Sequence, residues 1–315
     1  VDGSHIKGLL FNVFDSLWPE LSKTKGFLSS MLTPIIKATK KTNVKAFYSL
    51  TDYEKWKEKN NNGKGWDIKY YKGLGTSTSK ESKEYFKDLK TVTYTFTDEC
   101  KNSIDKAFNK ERADDRKEWL KNYNRDVIID PNNKQATYSE FIDKELIHFS
   151  NYDTERSIPN IMDGSKTSQR KILFSAFKRD LKKEIKVAQF AGYVSEHSAY
   201  HHGEMSLNGA IVNMAQNFVG SNNINLFKPN GQFGSRLMGG KDSASTRYIF
   251  TELSNITKYI YNKNDEQVLS YLDDDGMIVE PKYYVPILPM ILINGSKGIG
   301  TGFSTDIPCF NPLDI

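Results

Sequence analysis

Three helix-period segments crowd into the stretch between residues 151 and 220, and that compression limits the folds open to this chain. The first, 167–179, carries Ile172, Leu173, Ala176 and Phe177 on one face. The second, 186–195, is short. The third, 203–218, repeats Leu207, Ala210, Ile211, Met214, Ala215 and Phe218 and runs out at Gly220. Across the same region Lys166, Arg170, Lys171, Lys178, Arg179, Lys182, Lys183 and Lys186 face only Asp180 and Glu184. Three short helices with a basic second face have the sequence form of a helix-turn-helix or winged-helix unit. The periodicity also fits an ordinary helical bundle, and the basic run also fits a solvated helix surface.

The flanks read differently. Up to about residue 95 the pattern is α/β: a helix-like segment 6–18, a strand at 46–50, and a strand at 68–71. Thr51 and Glu54 have capping-box spacing at a helix start. Residues 98–125 form a charge-laced helical stretch, and Asp130-Pro-Asn-Asn marks a break. From about 255 the sequence turns strand-rich, and Val285–Ile293 reads as a buried strand despite two prolines.

Composition excludes several classes. With 315 residues, 38% hydrophobic and 26% charged, the chain is expected to be soluble and globular, with no apolar run approaching a membrane span. Cys100 and Cys309 lie too far apart for ligand spacing, which argues for neither a disulfide framework nor zinc and favours a reducing intracellular setting. The net charge of +5 is compatible with nucleic acid. The chain opens on Val1-Asp-Gly-Ser-His with no start methionine and no signal peptide, so it is expected to be a piece of a longer polypeptide.

Four constellations carry chemistry. Gly234-Ser-Arg-Leu-Met-Gly-Gly-Lys241 leads to Arg247-Tyr248. A phenol is a weak nucleophile at neutral pH, so a catalytic tyrosine needs a neighbouring cation or a metal at the reacting phosphate. Arg247 supplies the cation, while Arg236 and Lys241 place charge where a polyanion would lie. Lys69-Tyr-Tyr-Lys72, followed by glycines and hydroxyls, could cradle a phosphate, although it departs from the P-loop pattern. Tyr200-His-His-Gly-Glu204 opens the third helix, where His201 and His202 can reach phosphate or a developing oxyanion. Asp2-Gly3 joins a hard oxygen ligand to a turn, too little alone to make a magnesium site.

Taken together, the motifs resemble eukaryotic-type DNA topoisomerase II. They are Asp2-Gly-Ser-His-Ile-Lys-Gly-Leu-Leu10, Tyr70-Tyr-Lys-Gly-Leu-Gly-Thr-Ser-Thr-Ser-Lys-Glu81, Asp114-Asp-Arg-Lys-Glu-Trp-Leu120 and Arg156-Ser-Ile-Pro-Asn-Ile-Met-Asp-Gly164. Gln169-Arg-Lys171, Lys186-Val-Ala-Gln189, Tyr200-His-His-Gly-Glu204 and Ala215-Gln-Asn-Phe-Val-Gly-Ser-Asn-Asn223 continue the order. Gly231-Gln-Phe-Gly-Ser-Arg236, Arg247-Tyr-Ile-Phe250 and Ile293-Asn-Gly-Ser-Lys-Gly-Ile-Gly-Thr-Gly302 complete it. One departure stands out: Lys166-Thr-Ser-Gln-Arg-Lys171 replaces the usual Lys-Pro-Gly-Gln-Arg-Lys.

The resemblance implies an α/β and α+β multidomain chain. Residues 1–97 would be the C-terminal part of a Toprim domain, 98–150 a helical connector, 151–254 a winged-helix (CAP-like) domain with the catalytic tyrosine, and 255–315 the start of an α/β tower domain. It makes Tyr248 the nucleophile of a 5′-phosphotyrosyl link, Arg247 its transition-state partner, and Arg170 and His202 further catalytic residues. Lys72, Lys166, Lys171, His201, Arg236 and Lys241 would contact DNA, and Ile299 would wedge between base steps. Asp2 matches the last aspartate of a two-metal Mg2+ motif that lies mostly outside this chain, as does the part that uses ATP. The implied partner is double-stranded DNA bound by a homodimer, with no membrane, in the nucleus or in a viral or other intracellular setting. Two rivals compete: a tyrosine recombinase or type IB enzyme, whose motif order is not found here, and a non-catalytic winged-helix DNA-binding module.

Overall fold

The computed structural model describes residues 2–71, 73–130, 132–274 and 276–315. They form two compact units, 1–151 and 152–315.

The first unit is built on two small sheets. In one, Ile36–Lys40 lies between Asn43–Phe47 and Asp67–Tyr70, antiparallel to both. Period-two alternation turns Ile36 and Ala38 inward, against Phe47, Tyr53 and Trp56. The helix after it, Leu50–Lys59, starts from Ser49, whose side chain accepts the Asp52 N–H at 3.2 Å. The expected Thr51–Glu54 box is therefore not used, because the last extended residue is Ser49 and the cap belongs there. In the second sheet Thr91–Thr95 pairs antiparallel with Ser29–Met31 and parallel with Gln135–Thr137. Val92 and Tyr94 face a core that includes Phe11, Cys100, Ile104, Tyr138 and Phe141. The rings of Tyr94, Tyr138 and Phe141 all stand edge-on to Phe11, with centroids 4.7 to 4.9 Å away. Residues of the 98–150 stretch thus share one core with the sheet before them.

In the second unit the three expected helices are Thr167–Lys178, Val187–His197 and Glu204–Ala215. Their apolar faces meet: Ile172, Leu173, Ala176, Phe190, Val194, Leu207 and Ile211 are buried together. Fully burying each of the larger of these side chains, the isoleucines, leucines, phenylalanine and valine, stabilises by about 1.5–3 kcal/mol. A wing closes beside them, with Ile185–Lys186 antiparallel to Phe250–Thr251 and with Phe227 and Asn230 bridged to Leu253 and Phe250. The Lys166-Thr-Ser-Gln departure is absorbed without a break. Lys166 stays extended, its N–H donates to Gln169 Oε1 at 2.9 Å, and the helix begins at Thr167.

Beyond residue 255 come two hairpins, Tyr271–Asp274 with Met277–Pro281 and Ser296–Ile299 with Ser304–Ile307. The stretch expected as a buried strand, 285–293, instead ends in a short helix, Met290–Ile293. Proline cannot donate to a sheet ladder but fits the start of a helix, and Pro289 sits at the N-cap. Ile293 is still fully buried, beside Met290 and Tyr284. Among the described residues, no helix is long and apolar enough to cross a membrane.

Candidate nucleic-acid interface and tyrosine site

Tyr248 is 72% exposed, yet the backbone on either side of it is pinned. The first turn of the 187–197 helix reaches it from below: Val187 N–H donates to Ile249 O at 3.0 Å and Ala188 N–H to Thr246 O at 3.1 Å. Ile249 is buried in the core, and Tyr248 N–H closes a turn onto Ser245 O at 2.9 Å. A free side chain thus stands on a fixed backbone. Arg247 is beside it, with its guanidinium carbon 5.9 Å from the ring centroid.

The loop before it is equally ordered. Gly234 and Gly240 both have positive φ and touch backbone to backbone; a Cβ on Gly234 would lie 2.6 Å from Gly240 Cα. Buried Gln216, at the end of the 204–215 helix, donates through Nε2 to Phe233 O at 2.8 Å. The same amide lies 3.4 Å from Gly240 O. Asp242, the loop's one acid, turns back to accept Ser235 N–H at 2.8 Å, and that backbone bond holds its carboxyl below the ordinary range. No ion pair reaches Arg236, Lys241 or Arg247 among the described residues, and all three are exposed.

A second group gathers around a cavity of about 690 Å³ lined by Tyr152, Arg156, Lys166, Lys171, Tyr200, His201 and His202, among others. Tyr152 Oη and His202 Nε2 are 2.7 Å apart with their rings stacked, and Tyr200 meets His202 edge-on. Partial burial pushes the Tyr200 phenol up, with Arg156 acting the other way. His201 Nε2 lies 2.9 Å from Asp274 Oδ2. Among the described residues, this cavity brings Lys166, Lys171, His201 and His202 together but does not include Tyr248 or Arg247.

Two basic residues expected at the interface point inward. Arg170, expected among the catalytic groups, has a side chain only 7% exposed and grips Asp163 with both arms of its fork, at 2.7 and 3.1 Å. It also donates to Ser165 O at 2.8 Å. Lys171, expected on DNA, pairs with buried Glu280 at 2.8 Å and reaches Ser198 O. An isolated buried charge is costly, so both cations are held by partners that the fold supplies. Lys166 makes no ion pair among the described residues and stays partly exposed at the cavity's edge.

Ile299 ends a strand of the 296–307 hairpin and is 74% exposed. Gly298 beside it has no room for a side chain, since a Cβ there would strike Ser157 O. Close packing on that side therefore leaves the isoleucine projecting.

In the first unit the expected cradle at 69–79 is largely engaged with itself. Glu81 takes Lys69 at 3.2 Å, Lys37 at 3.3 Å, the Thr78 N–H at 2.8 Å and the Tyr71 hydroxyl. Burial opposes the Glu81 charge, but these donors hold its carboxyl well below the usual range, and burial with Glu81 pushes the Tyr71 phenol up. Lys72 lies outside the described residues. Asp2 opens the helix Asp2–Leu17, and its side chain is also outside the description. Among the described residues no three His, Cys, Asp or Glu groups could hold a metal. The expected metal ligand Asp2 is therefore not placed by the described side chains.

Sequence reasoning missed Asp163, Gln216 and Glu280, which position the others. Asp163 and Gln216 stand inside the family's motifs, but nothing in a one-dimensional pattern distinguishes a buried carboxylate or amide from an exposed one.

Comparisons with known proteins converge on one enzyme group. The family model for the A subunit of DNA gyrase/topoisomerase IV matches residues 156–315, and the C-terminal associated domain of TOPRIM matches 31–154. The chain is 55% identical over 318 residues to DNA topoisomerase 2 of Plasmodium falciparum, all of this chain against 23% of that protein. It is 53% identical over 329 residues to human DNA topoisomerase 2-alpha, covering 21% of it. A crystal structure of the Plasmodium falciparum topoisomerase II DNA-binding, cleavage and re-ligation domain superposes with a TM-score of 0.83 at 55% identity, covering 100% of this chain and 43% of that one. The chain thus spans about a fifth to a quarter of the curated relatives it matches.

Proposed function

This chain belongs to the type II DNA topoisomerase family, and from that premise we propose that it carries the cleavage and religation chemistry of a DNA gate. In this reading 1–97 is the Toprim tail, 98–150 a helical connector, 151–254 the winged-helix domain and 255–315 the start of the tower. The single observation that carries the proposal is an exposed tyrosine on a pinned backbone, next to an arginine that makes no ion pair among the described residues.

Tyr248 Oη attacks the phosphorus of a DNA strand as the P–O3′ bond breaks. The phenolic proton is lost, the departing 3′ oxygen gains one, and the 5′ phosphate stays on the tyrosine. One phosphate ester replaces another, so resealing reverses the step without an added energy source. Arg247 offsets charge on the non-bridging oxygens. His202, steadied by Tyr152 and Tyr200, offers a hydrogen bond near the reacting phosphate, with His201 and Lys166 on the flanking backbone. Arg170 and Lys171 act as positioning residues: Arg170 fixes the turn before the 167–178 helix through Asp163 and Ser165, and Lys171 ties that helix to Ser198 and Glu280. Ile299 inserts between base steps to bend the duplex. Two copies of the chain cut the two strands. Asp2, with the further acidic residues of the same motif, would hold Mg2+, which would offset charge at the reacting phosphate; in this reading ATP is used elsewhere in the protein, and the nucleus is the working compartment.

Rapid detergent denaturation of the full-length protein on duplex DNA tests the nucleophile. We expect a covalent protein–DNA adduct, and none with Tyr248→Phe. An adduct that survives the substitution contradicts the assignment.

A further inference from the structure

The tip of the loop preceding Tyr248 is apolar. Leu237 is 92% exposed and Met238 is half-exposed beside it. Single exposed leucines are common and need no explanation. This one differs in how it is held. Gly239 N–H bonds Arg236 O at 3.1 Å, Gly240 N–H bonds Ser235 O at 2.9 Å, and Lys241 N–H bonds Met238 O at 3.2 Å. Beneath the turn, the Gly234–Gly240 contact and the Gln216 amide fix both ends. A Cβ on Gly240 would strike that amide, so the turn has no slack on its inner side. The fold therefore presents Leu237 outward from a rigid base rather than leaving it on a loose tip.

Its surroundings indicate the partner. Arg236 precedes it and Lys241 follows, both exposed and without ion pairs among the described residues, while Asp242 is turned inward. The centres of protein–protein interfaces are depleted of charge. A side chain with bare cations on both sides matches instead a duplex, where phosphates take the cations and an apolar group lies against sugars or bases in the minor groove. We propose that Leu237 is a second apolar contact to duplex DNA, seated between phosphates held by Arg236 and Lys241. The inference rests on the reading of this chain as a DNA gate and adds a contact to it.

The experiment uses the full-length protein with Tyr248→Phe, so that only non-covalent binding is read, and measures duplex affinity and bend angle across a salt series. Leu237→Ala should weaken binding about five- to tenfold, the loss expected from uncovering most of a leucine. The salt slope should stay unchanged, since no phosphate contact is lost. Thermal stability should hold, because the side chain is exposed. Affinity and bend angle matching the parent overturn the proposal. So does weakened self-association in sedimentation with unchanged DNA binding, which would assign the surface to a second copy of the chain. If the Tyr248→Phe protein itself still forms an adduct, the nucleophile reading fails, and the Leu237 comparison still stands or falls by its own measurement.

Discussion

Arg170 and Lys171 sit near the start of the 167–178 helix, while Arg236, Lys241 and Arg247 ride the loop that carries Tyr248. In the sequence both sets are basic residues in motifs of the same family. In the structure they serve opposite ends: the first set is turned inward onto Asp163 and Glu280, and the second is bare to solvent. The difference lies in the partners. A carboxylate with almost no exposure must be matched by a cation, whereas the loop's only acid is already bound to a backbone N–H. Charge within the fold builds the platform, and charge left without a partner is what a polyanion can use.

The largest effect is expected at the inner set. Asp163→Ala leaves Arg170 buried and unmatched, and also strips an acceptor from Ser165 and Tyr284 N–H. We expect a loss of about 3–5 kcal/mol, read in the denaturant midpoint of the second unit. A loss comparable to that of a surface change would mean the pair is not what holds the turn.

Ile299→Ala should come next. It should reduce the bend imposed on duplex DNA, seen by energy transfer between end labels, while Tyr248 still forms its adduct. An unchanged bend removes the wedge role. Arg236→Gln should leave stability within about 0.5 kcal/mol but lower the salt slope of DNA binding by about one. If it instead destabilises the fold without altering the slope, the outer cations are structural after all and the contrast collapses.

The smallest effect concerns pH. The Asp242 carboxyl titrates below its ordinary value because it accepts the Ser235 N–H. A depressed acid contributes stability that is present above the unfolded value, near about 4, and is lost as pH falls through the folded one. The protection factor of the Ser235 amide should therefore hold at neutral pH and decline in acid. Asp242→Asn should show weaker protection throughout and no acid step.

Much of the second unit was legible because its helices bury one face at helical spacing. Leu207, Ile211 and Met214 announce a core stripe, but its end was misjudged: the helix stops at Ala215, where Gln216 turns extended, and not at Gly220. The exposure of Tyr248 and Ile299 was not legible. Each depends on anchors distant in sequence, the 187–197 helix for one and Ser157 for the other. The roles of Arg170 and Lys171 were hidden for a related reason: burial of Asp163 leaves no mark in the sequence, and Glu280 lies far along the chain and enters from another hairpin. The 285–293 stretch misled because apolar content signals burial, which it has, but not the form the backbone takes around Pro289.

The chemistry centres on one oxygen atom, Tyr248 Oη. Digestion of the detergent-trapped adduct and mass spectrometry of the nucleotide-bearing peptide locate it directly. We expect a single modified peptide spanning Arg247-Tyr248-Ile249, with the 5′ phosphate on Tyr248. A nucleotide found on any other residue, with Tyr248 unmodified, would contradict the account.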